Sequence, residues 1–209
     1  MTPERGTEPL EMPYPQYRCA VCATDLPPNE AHMTVTCATH RPEGSGVAFT
    51  VRPATAADRP DIELICDRAW GETEVDAFGI TFDVLAGESI IAEASGEFAG
   101  LISLALHGGE LAIVLLSVYP QFQGAGVGSA LIEAAVDRAR AKNVPALKVA
   151  TTNDDVPALY IYQRQGFSIF DVACGAVVDH HGAAIPGFAN IPVRDEIRLR
   201  RPVCRLPER

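Results

Sequence analysis

Val118-Tyr-Pro-Gln-Phe-Gln-Gly-Ala-Gly-Val-Gly-Ser-Ala-Leu131 is the most informative stretch of this 209-residue sequence. It joins an apolar run (111–118), typical of a buried strand, to an amphipathic run (128–142), typical of a helix. A glycine-rich turn between a strand and a helix exposes backbone N–H groups at the positive end of the helix dipole, where phosphate binds. The stretch therefore predicts a site for a phosphorylated ligand.

Two common phosphate-binding motifs do not fit these glycines. A dinucleotide-binding fingerprint reads G-x-G-x-x-G, with an acidic residue about 20 residues further on. Here the glycines alternate as G-A-G-V-G, and the next predicted strand (146–151) contains no acid. A P-loop needs a lysine after its last glycine, and none follows Gly128. What remains is Gln123-Gly-Ala-Gly-Val-Gly128, which has the pattern Q/R-x-x-G-x-G/A.

This hexapeptide resembles the acyl-CoA pyrophosphate loop of the GNAT superfamily of N-acetyltransferases. Further along, Asn153-Asp-Asp-Val-Pro-Ala-Leu-Tyr-Ile-Tyr-Gln-Arg-Gln-Gly-Phe167 resembles the second GNAT signature, a helix start followed by A-L-x-x-Y-x-x-x-G-F. Both motifs occur in the family order. Val51-Arg-Pro-Ala-Thr55 and Pro192-Val-Arg-Asp-Glu-Ile-Arg-Leu199 look like a bacterial subgroup of the family. The resemblance covers residues 47 to 201.

The hydrophobic periodicity predicts the order β-α-β-β-β-α-β-α-β-β, which is also the GNAT order. We therefore expect an α/β (α+β) fold in which helices flank a mixed central sheet. Strands are predicted at 47–52, 89–94, 98–106, 111–118, 147–151, 168–178 and 194–200, and helices at 55–70, 128–142 and 157–166. An acidic loop is predicted at 71–76. The first helix is expected to bury Ile62, Leu64, Ile65 and Ala69, and the second Leu131, Ile132, Ala135, Val136 and Ala139.

The resemblance implies that acetyl-CoA lies where two neighbouring parallel strands splay apart. The backbone of Leu116, Ser117 and Val118 would then pair with the pantetheine arm, as an added strand pairs with a sheet edge. The loop would hold the pyrophosphate through backbone N–H groups, and Gln123 would reach over it. The implied cofactor-binding residues of the loop are Gln123, Gly124, Ala125, Gly126, Val127, Gly128 and Ser129.

The chemistry implied is attack of a primary amine on the thioester, with a tyrosine as general acid for the departing sulfur. Tyr160 and Tyr162 lie on opposite sides of a helix, and Tyr162 has the family spacing to Gly166-Phe167. Asp155 matches the family asparagine, and Asn153, two positions earlier, is a candidate contact for pantetheine. The general base is left open. Its candidates are Glu72, Glu74, Glu110 and ordered water.

The N-terminal part contains the pairs Cys19-Ala-Val-Cys22 and Cys37-Ala-Thr-His40. Two such knuckles have the spacing of a tetrahedral structural Zn2+ site, and His32 could substitute for His40. Free thiols, disulfides and a redox C-x-x-C are the alternatives. The predicted organisation is a flexible N-terminus (1–16), a zinc-ribbon-like segment (17–45), the acetyltransferase domain (47–201) and a C-terminal tail (202–209).

The formal net charge of −10 disfavours nucleic acid and anionic membranes as partners. Residues 1–45 agree, because they hold three arginines against six acids. We expect a small-molecule or peptide amine as acceptor, and a cytoplasmic location because Met1-Thr-Pro-Glu-Arg5 is not a signal peptide. Monomer and homodimer both remain open. The alternative to an enzyme is a non-catalytic acyl-CoA-binding sensor or scaffold whose zinc segment contacts a protein.

Overall fold

A computed structural model of the chain describes residues 48–177 and 185–203. The predicted zinc ligands Cys19, Cys22, Cys37 and His40 lie outside these residues, as do the predicted segments 1–16 and 17–45. Three helices longer than one turn are described, α1 (Arg59–Trp70), α2 (Val127–Ala141) and α3 (Val156–Arg164). The strands are β1 (Phe49–Pro53), β2 (Glu74–Ala77), β3 (Ile80–Asp83), β4 (Glu88–Ala94), β5 (Glu97–His107), β6 (Glu110–Val118), β7 (Ala146–Thr152), β8 (Ser168–Ala173), β9 (Ile185–Pro186), β10 (Pro192–Val193) and β11 (Glu196–Pro202).

Seven of these strands form one twisted sheet in the order β1-β4-β5-β6-β7-β11-β8. β6 and β7 are parallel, and every other neighbouring pair in the sheet is antiparallel. The seven predicted strands and three predicted helices are thus confirmed, with boundaries shifted by a few residues. The sheet is mixed, as predicted, and helices pack on both of its faces.

The predicted acidic loop at 71–76 is wrong in part. β2 and β3 form an antiparallel hairpin whose turn residues Phe78 and Gly79 both have positive φ, 56° and 74°. In β2, Val75 and Ala77 face inward while Glu74 and Asp76 face solvent. The prediction was based on the high density of acids and overlooked this alternation with period two.

The ends of two predicted strands are also corrected. β8 stops at Ala173 instead of continuing to residue 178, and β11 starts at Glu196 instead of 194. The Asp195 carboxylate accepts the Gly175 N–H at 2.9 Å, and the Asn153 side-chain oxygen accepts the N–H groups of residues 194 and 195. These N–H groups bind side chains, so they do not extend the strand ladder.

Apolar side chains pack on both faces of the sheet. On one face, α2 buries Leu131, Ile132, Ala135, Val136 and Ala139 completely, as predicted. On the other face, α1 buries Ile62, Ile65 and Cys66 against β4, β5 and β6. Leu64 is 40% exposed, contrary to the prediction, because it lies two residues from Ile62 and so on the opposite side of the helix. No helix among the described residues is long and apolar enough to span a bilayer.

Candidate active site

The parallel strands β6 and β7 pair over only three residues each. Residues 111–113 of β6 are in register with 147–149 of β7, and the two strands then diverge. Within the described part of the chain, residues 114–118 of β6 have no ladder partner on the β7 side. Apart from the Val118 carbonyl, which accepts a hydrogen bond from Gln123, the N–H and C=O groups that face this edge are therefore open to an extended ligand. Leu116, Ser117 and Val118, which the resemblance implies as pantetheine contacts, belong to this divergent part of β6.

A β-bulge marks the point where the strands diverge. On β5, Ser103 and Leu104 are opposite Leu115 and Ile113 respectively, which leaves Val114 as the extra residue of β6. A bulge bends its strand and increases the local twist, and bulges occur often beside active sites. The bend in β6 therefore coincides with the opening of the groove.

The glycine-rich loop closes one end of this groove. Gly124 and Gly126 have positive φ, 82° and 89°, which an L-residue adopts only with strain. A Cβ atom on either glycine would meet no atom of the described residues within 4 Å, so the described part of the chain leaves the space above the loop open. Gly128 has another role, since a Cβ there would lie 3.3 Å from Ile161 and 3.7 Å from Val118. It allows α3 and the end of β6 to approach the start of α2.

The first turn of α2 presents N–H groups without a protein cap. Gly126 is the N-cap residue and has no side chain, and no acidic residue lies in the first turn. The first backbone bond of the helix is donated by the Ala130 N–H to the Gly126 carbonyl. The N–H groups of Val127, Gly128 and Ser129 thus lack a helical acceptor, as at any helix start. Free N–H groups and a helix dipole are the features that bind anions at helix starts in general.

Two side chains tie this loop to its neighbours. Gln123 donates from Nε2 to the Val118 carbonyl at 3.0 Å, which fixes the loop to the end of β6. Ser129 Oγ accepts a hydrogen bond of 2.8 Å from Gln165, which follows α3. The loop, β6 and α3 therefore form one connected wall.

Tyr162 lies on the face of α3 that packs against the sheet. Only 5% of the residue is exposed, and its ring contacts Phe167 edge-on with centroids 5.4 Å apart. Among the described residues its hydroxyl has no hydrogen-bond partner. Burial raises the pKa of Tyr162, and the negative charge of Asp155 raises it further. A buried hydroxyl left without a partner costs about 1–3 kcal/mol, so such groups generally bind water or a ligand. Tyr160, by contrast, is 51% exposed.

The run Asn153-Asp154-Asp155 connects β7 to α3, and each residue binds a different element. The Asn153 side chain binds the backbone before β11, with Oδ1 accepting from Arg194 and Asp195 and Nδ2 donating to the Pro192 carbonyl. The buried Asp154 carboxylate accepts the Phe188 N–H at 2.9 Å. Asp155 caps α3 by accepting the Ala158 N–H at 3.1 Å.

The β2–β3 hairpin covers the opposite face of the sheet at the same level. Ala77 and Phe82 pack on Ala112 of β6, with Val114 and Ala150 at the margin of this cluster. Val114 and Ala150 are the first residues beyond the paired part of the two parallel strands. The hairpin therefore lies under the opening of the groove, on the face away from the glycine-rich loop.

The hairpin turn is fixed by residues that the sequence analysis missed. Phe78 has φ 56°, a conformation that is strained for a bulky side chain. Its N–H is bound at 3.0 Å by the buried carboxylate of Glu196. Its ring lies between the Lys148 ammonium, 4.6 Å from the centroid, and the Arg198 guanidinium, at 5.8 Å. Alternation along β11 places Glu196 and Arg198 on the face opposite to the buried Leu199, and this shared face was the available sequence signal for them.

Lys148 and His107 form a half-buried polar pair beside this turn. Lys148 Nζ and His107 Nδ1 are 2.8 Å apart, which is a hydrogen-bond distance. Burial lowers the pKa of both groups, and the positive charge of Lys148 lowers the pKa of His107 further. The pair lies toward the paired end of β6 and β7, since Lys148 is opposite Ala112.

The candidate bases of the sequence analysis do not contact the groove. Glu110 binds Arg200 at the start of β6, eight residues before Val118. Glu72 and Glu74 are exposed beside and on the hairpin. A separate cleft of about 820 Å³ lies near the start of α1 and the end of α2, and none of its lining residues belongs to the loop, α3 or the divergent parts of β6 and β7.

Comparison with known proteins identifies the class to which this fold and groove belong. The model of the acetyltransferase (GNAT) family matches residues 57–167, just over half of the chain. The chain therefore belongs to the GNAT family, and it is an acetyl-CoA-dependent N-acetyltransferase. The prediction of an N-acetyltransferase is thereby confirmed at the level of the family.

Individual relatives agree with this class. The chain is 29% identical over 157 residues to the uncharacterized protein YxbD of Bacillus subtilis, covering 72% of this chain and 97% of that protein. It is 29% identical over 126 residues to the streptothricin acetyltransferase of Streptomyces lavendulae, covering 59% and 65%. The crystal structure of a GNAT family acetyltransferase from Elizabethkingia anophelis with acetyl-CoA bound superimposes with a TM-score of 0.60 at 24% identity, covering 74% and 97%.

Proposed function

We propose that this acetyltransferase transfers an acetyl group from acetyl-CoA directly to a primary amine, with Tyr162 as general acid. The observation that carries the proposal is the buried Tyr162 hydroxyl, which lacks a partner among the described residues. Tyr162 lies on the helix that packs against the glycine-rich loop, so a thioester bound along β6 and anchored at the loop would pass close to it. No covalent enzyme intermediate is required.

The cosubstrate site is proposed to extend from the divergent edge of β6 to the start of α2. Backbone groups of Leu116, Ser117 and Val118 would pair with the pantetheine arm. The pyrophosphate would accept hydrogen bonds from the backbone at 123–129, where the uncapped helix start and the open space above Gly124 and Gly126 support an anion. Asn153 is included as a pantetheine contact. Its hydrogen bonds to residues 192–195 use one of its two amide hydrogens, so the second could be donated to the pantetheine arm.

Acetyl-CoA supplies an activated carbonyl, which the neutral amine attacks. The chain then has to stabilise the departing sulfur, and a phenol suits this task because it remains protonated well above neutral pH. Because its pKa is raised, Tyr162 stays in the phenol form at neutral and mildly alkaline pH. The low exposure of the site strengthens a hydrogen bond to the sulfur relative to the same bond in water.

The experiment compares Tyr162→Phe with Tyr160→Phe in an assay of CoA thiol release. General acid catalysis contributes about 10²–10⁴ in rate, so Tyr162→Phe should lower kcat by at least about 100-fold and leave the Kd for acetyl-CoA within about twofold. Tyr160→Phe is the matched control, because Tyr160 lies on the exposed side of the same helix. Equal kcat values for the two variants would refute the assignment of Tyr162.

The acceptor is proposed to be a cationic amine, either a small molecule or a peptide. The net charge of −10 favours the encounter with such an acceptor, and the outward acids Glu74 and Asp76 lie on the hairpin below the groove. The similarity to a streptothricin acetyltransferase makes streptothricin one member of the panel to test. The panel should also contain polyamines, amino sugars and peptides with free N-termini. A preference for anionic or neutral amines at low salt would contradict the charge argument.

We also propose that residues 17–45 bind one structural Zn2+ through Cys19, Cys22, Cys37 and His40, next to an acetyltransferase domain at 47–201 and between short terminal segments at 1–16 and 202–209. Support comes from the ligand spacing alone. Metal analysis of the full chain should give one zinc per chain, and Cys19→Ser together with Cys22→Ser should abolish it. Retention of zinc by that double variant would refute these ligands.

A further inference from the structure

The C-terminal end of α3 contacts the first turn of α2 through two side chains. Ile161 lies beside Gly128, where an added Cβ would be 3.3 Å from its Cδ1. Four residues later, Gln165 donates from Nε2 to Ser129 Oγ at 2.8 Å. Side chains four residues apart lie on the same face of a helix, so both contacts come from the face of α3 that meets α2. The apolar contact packs the two helices together, and the polar contact binds the glycine-rich loop at its last residue.

The backbone of Gln165 is fixed where α3 ends. Its N–H donates to the carbonyls of Ile161 at 2.9 Å and Tyr162 at 3.0 Å. Gly166 follows with φ 81°, and Phe167 is 3% exposed, so the chain enters the core directly after Gln165. The side chain of Gln165 therefore extends to Ser129 from a position that the fold determines.

The Ser129 hydroxyl is used differently from other hydroxyls of the described chain. Those that donate a hydrogen bond to a carboxylate or carbonyl oxygen are Thr55, Thr81, Ser103, Thr151 and Thr152. Ser129 Oγ instead accepts from Gln165, and within the described part of the chain it donates to no acceptor. A serine hydroxyl carries one donor hydrogen and two acceptor lone pairs. Its hydrogen is therefore available to a ligand at the start of α2.

The amide of Gln165 restricts where that hydrogen can point. Nε2 is a donor only, so the Ser129 hydroxyl cannot direct its own hydrogen toward it. One of the staggered directions of the hydroxyl is thereby removed. Accepting a hydrogen bond also polarises the O–H group and strengthens the bond that it donates. Gln165 thus prepares the Ser129 hydroxyl as a donor beside the free N–H groups of the helix start.

We propose that Gln165 is a positioning residue for the cosubstrate: it holds the Ser129 hydroxyl as a hydrogen-bond donor to the pyrophosphate of acetyl-CoA. The inference rests on the proposed cosubstrate site at 123–129. A glutamine suits this position because its amide donates to Ser129 and adds no charge beside the pyrophosphate. A glutamate here would accept the Ser129 hydroxyl and turn its hydrogen away from the ligand.

The first test measures CoA binding to the full chain by isothermal titration calorimetry. Gln165→Glu should raise the Kd for CoA at least about 10-fold, as expected for loss of a hydrogen bond to a charged group. Gln163→Glu is the matched control, because Gln163 lies on the same helix, is exposed and donates to the Leu159 carbonyl. It should keep the Kd within about twofold. Pantetheine, which lacks the pyrophosphate, should bind both variants like the parent chain.

A double-mutant cycle separates the hydroxyl from the effect of added charge. Gln165→Met removes the amide without adding charge and should raise the Kd for CoA about two- to fivefold. In a Ser129→Ala background the same substitution should have no effect, because no hydroxyl remains to be oriented. The melting temperature of each variant, measured by differential scanning fluorimetry, confirms that the titrations are made on folded protein.

The proposal is overturned if Gln165→Met raises the Kd for CoA equally with and without the Ser129 hydroxyl. It is also overturned if Gln165→Glu leaves that Kd unchanged, or weakens pantetheine as much as CoA, which a purely structural contact would do. Failure of the cosubstrate site itself gives a different result. In that case Gly126→Ala and Ser129→Ala would both bind CoA like the parent chain, whereas a weakened Gly126→Ala with a normal Gln165→Glu would refute only the role of Gln165.

Discussion

Replacement of Gly126 by alanine tests whether the start of α2 binds the cosubstrate. Gly126 has φ 89°, and a Cβ there would meet no atom within 4 Å in the part of the chain that the structure describes. Gly71, at the end of α1, has φ 79° and is equally free of contacts. The two substitutions therefore impose the same kind of backbone strain, but only the one at Gly126 places a methyl group over the open N–H groups of the loop.

The expected magnitudes follow from these geometries. Left-handed backbone costs an L-residue about 1–2 kcal/mol, and 1 kcal/mol lowers the melting temperature of a domain of this size by about 2–4 °C. Both variants should therefore melt about 2–8 °C lower than the parent chain. Gly126→Ala should also lose at least one hydrogen bond to a charged group, worth about 1.5–3 kcal/mol. That loss corresponds to an increase of about 10- to 150-fold in the Kd for CoA.

Differential scanning fluorimetry would measure the melting temperatures, and isothermal titration calorimetry would measure the Kd for CoA below the melting range. Gly71→Ala should bind CoA like the parent chain. The anion site would be refuted if Gly126→Ala and Gly71→Ala lowered the melting temperature together while both kept the parent Kd. Dephospho-CoA and pantetheine distinguish the contacts, because pantetheine lacks the pyrophosphate and should be insensitive to Gly126→Ala.

Substitutions at three further positions test contacts that stabilise the fold. Glu196→Ala should destabilise the protein by about 2–4 kcal/mol, measured by urea unfolding, because it leaves the Phe78 N–H without its acceptor; Glu196→Gln should cost less. Pairing with Arg52 lowers the pKa of Asp58. The ion pair therefore stabilises the fold above about pH 4, and this stabilisation is lost as pH falls. The difference in melting temperature between the parent chain and Asp58→Asn should shrink from pH 6 to pH 2.5. Gly187→Ala should speed amide hydrogen exchange at 185–195, because the added Cβ would overlap the buried Asp154 carboxylate. Unchanged exchange in this segment would contradict the overlap.

The sequence predicted the central sheet and α2 well, because both follow simple rules. Strand β6 is almost wholly apolar and lies between other strands with both faces covered, so its pattern needed no knowledge of its neighbours. In α2, five apolar residues at helical spacing are fully buried, and no polar residue interrupts the stripe. The glycine spacing at 124–128 was informative because positive φ and close approach to Ile161 each require glycine locally.

The other side of the groove could not be predicted in the same way. The turn at Phe78 places a large aromatic residue at positive φ, which no propensity rule favours. What stabilises it are contacts with Glu196, Lys148 and Arg198, which lie between 70 and 120 residues further along the chain. These contacts depend on the order of the strands in the sheet, in which β11 lies beside β7. A local sequence pattern does not contain that order.

The Asn153-Asp154-Asp155 run makes the junction between β7 and α3 a segment of fixed length. Each of the three side chains meets a different partner, at Arg194, Phe188 and Ala158 respectively. Deletion or insertion of one residue would move every side chain to the partner of its neighbour, and no single partner could be regained without losing another. Among homologues, these three positions should therefore differ in residue type more often than in number. A loop grafted between homologues should include all three residues of the junction.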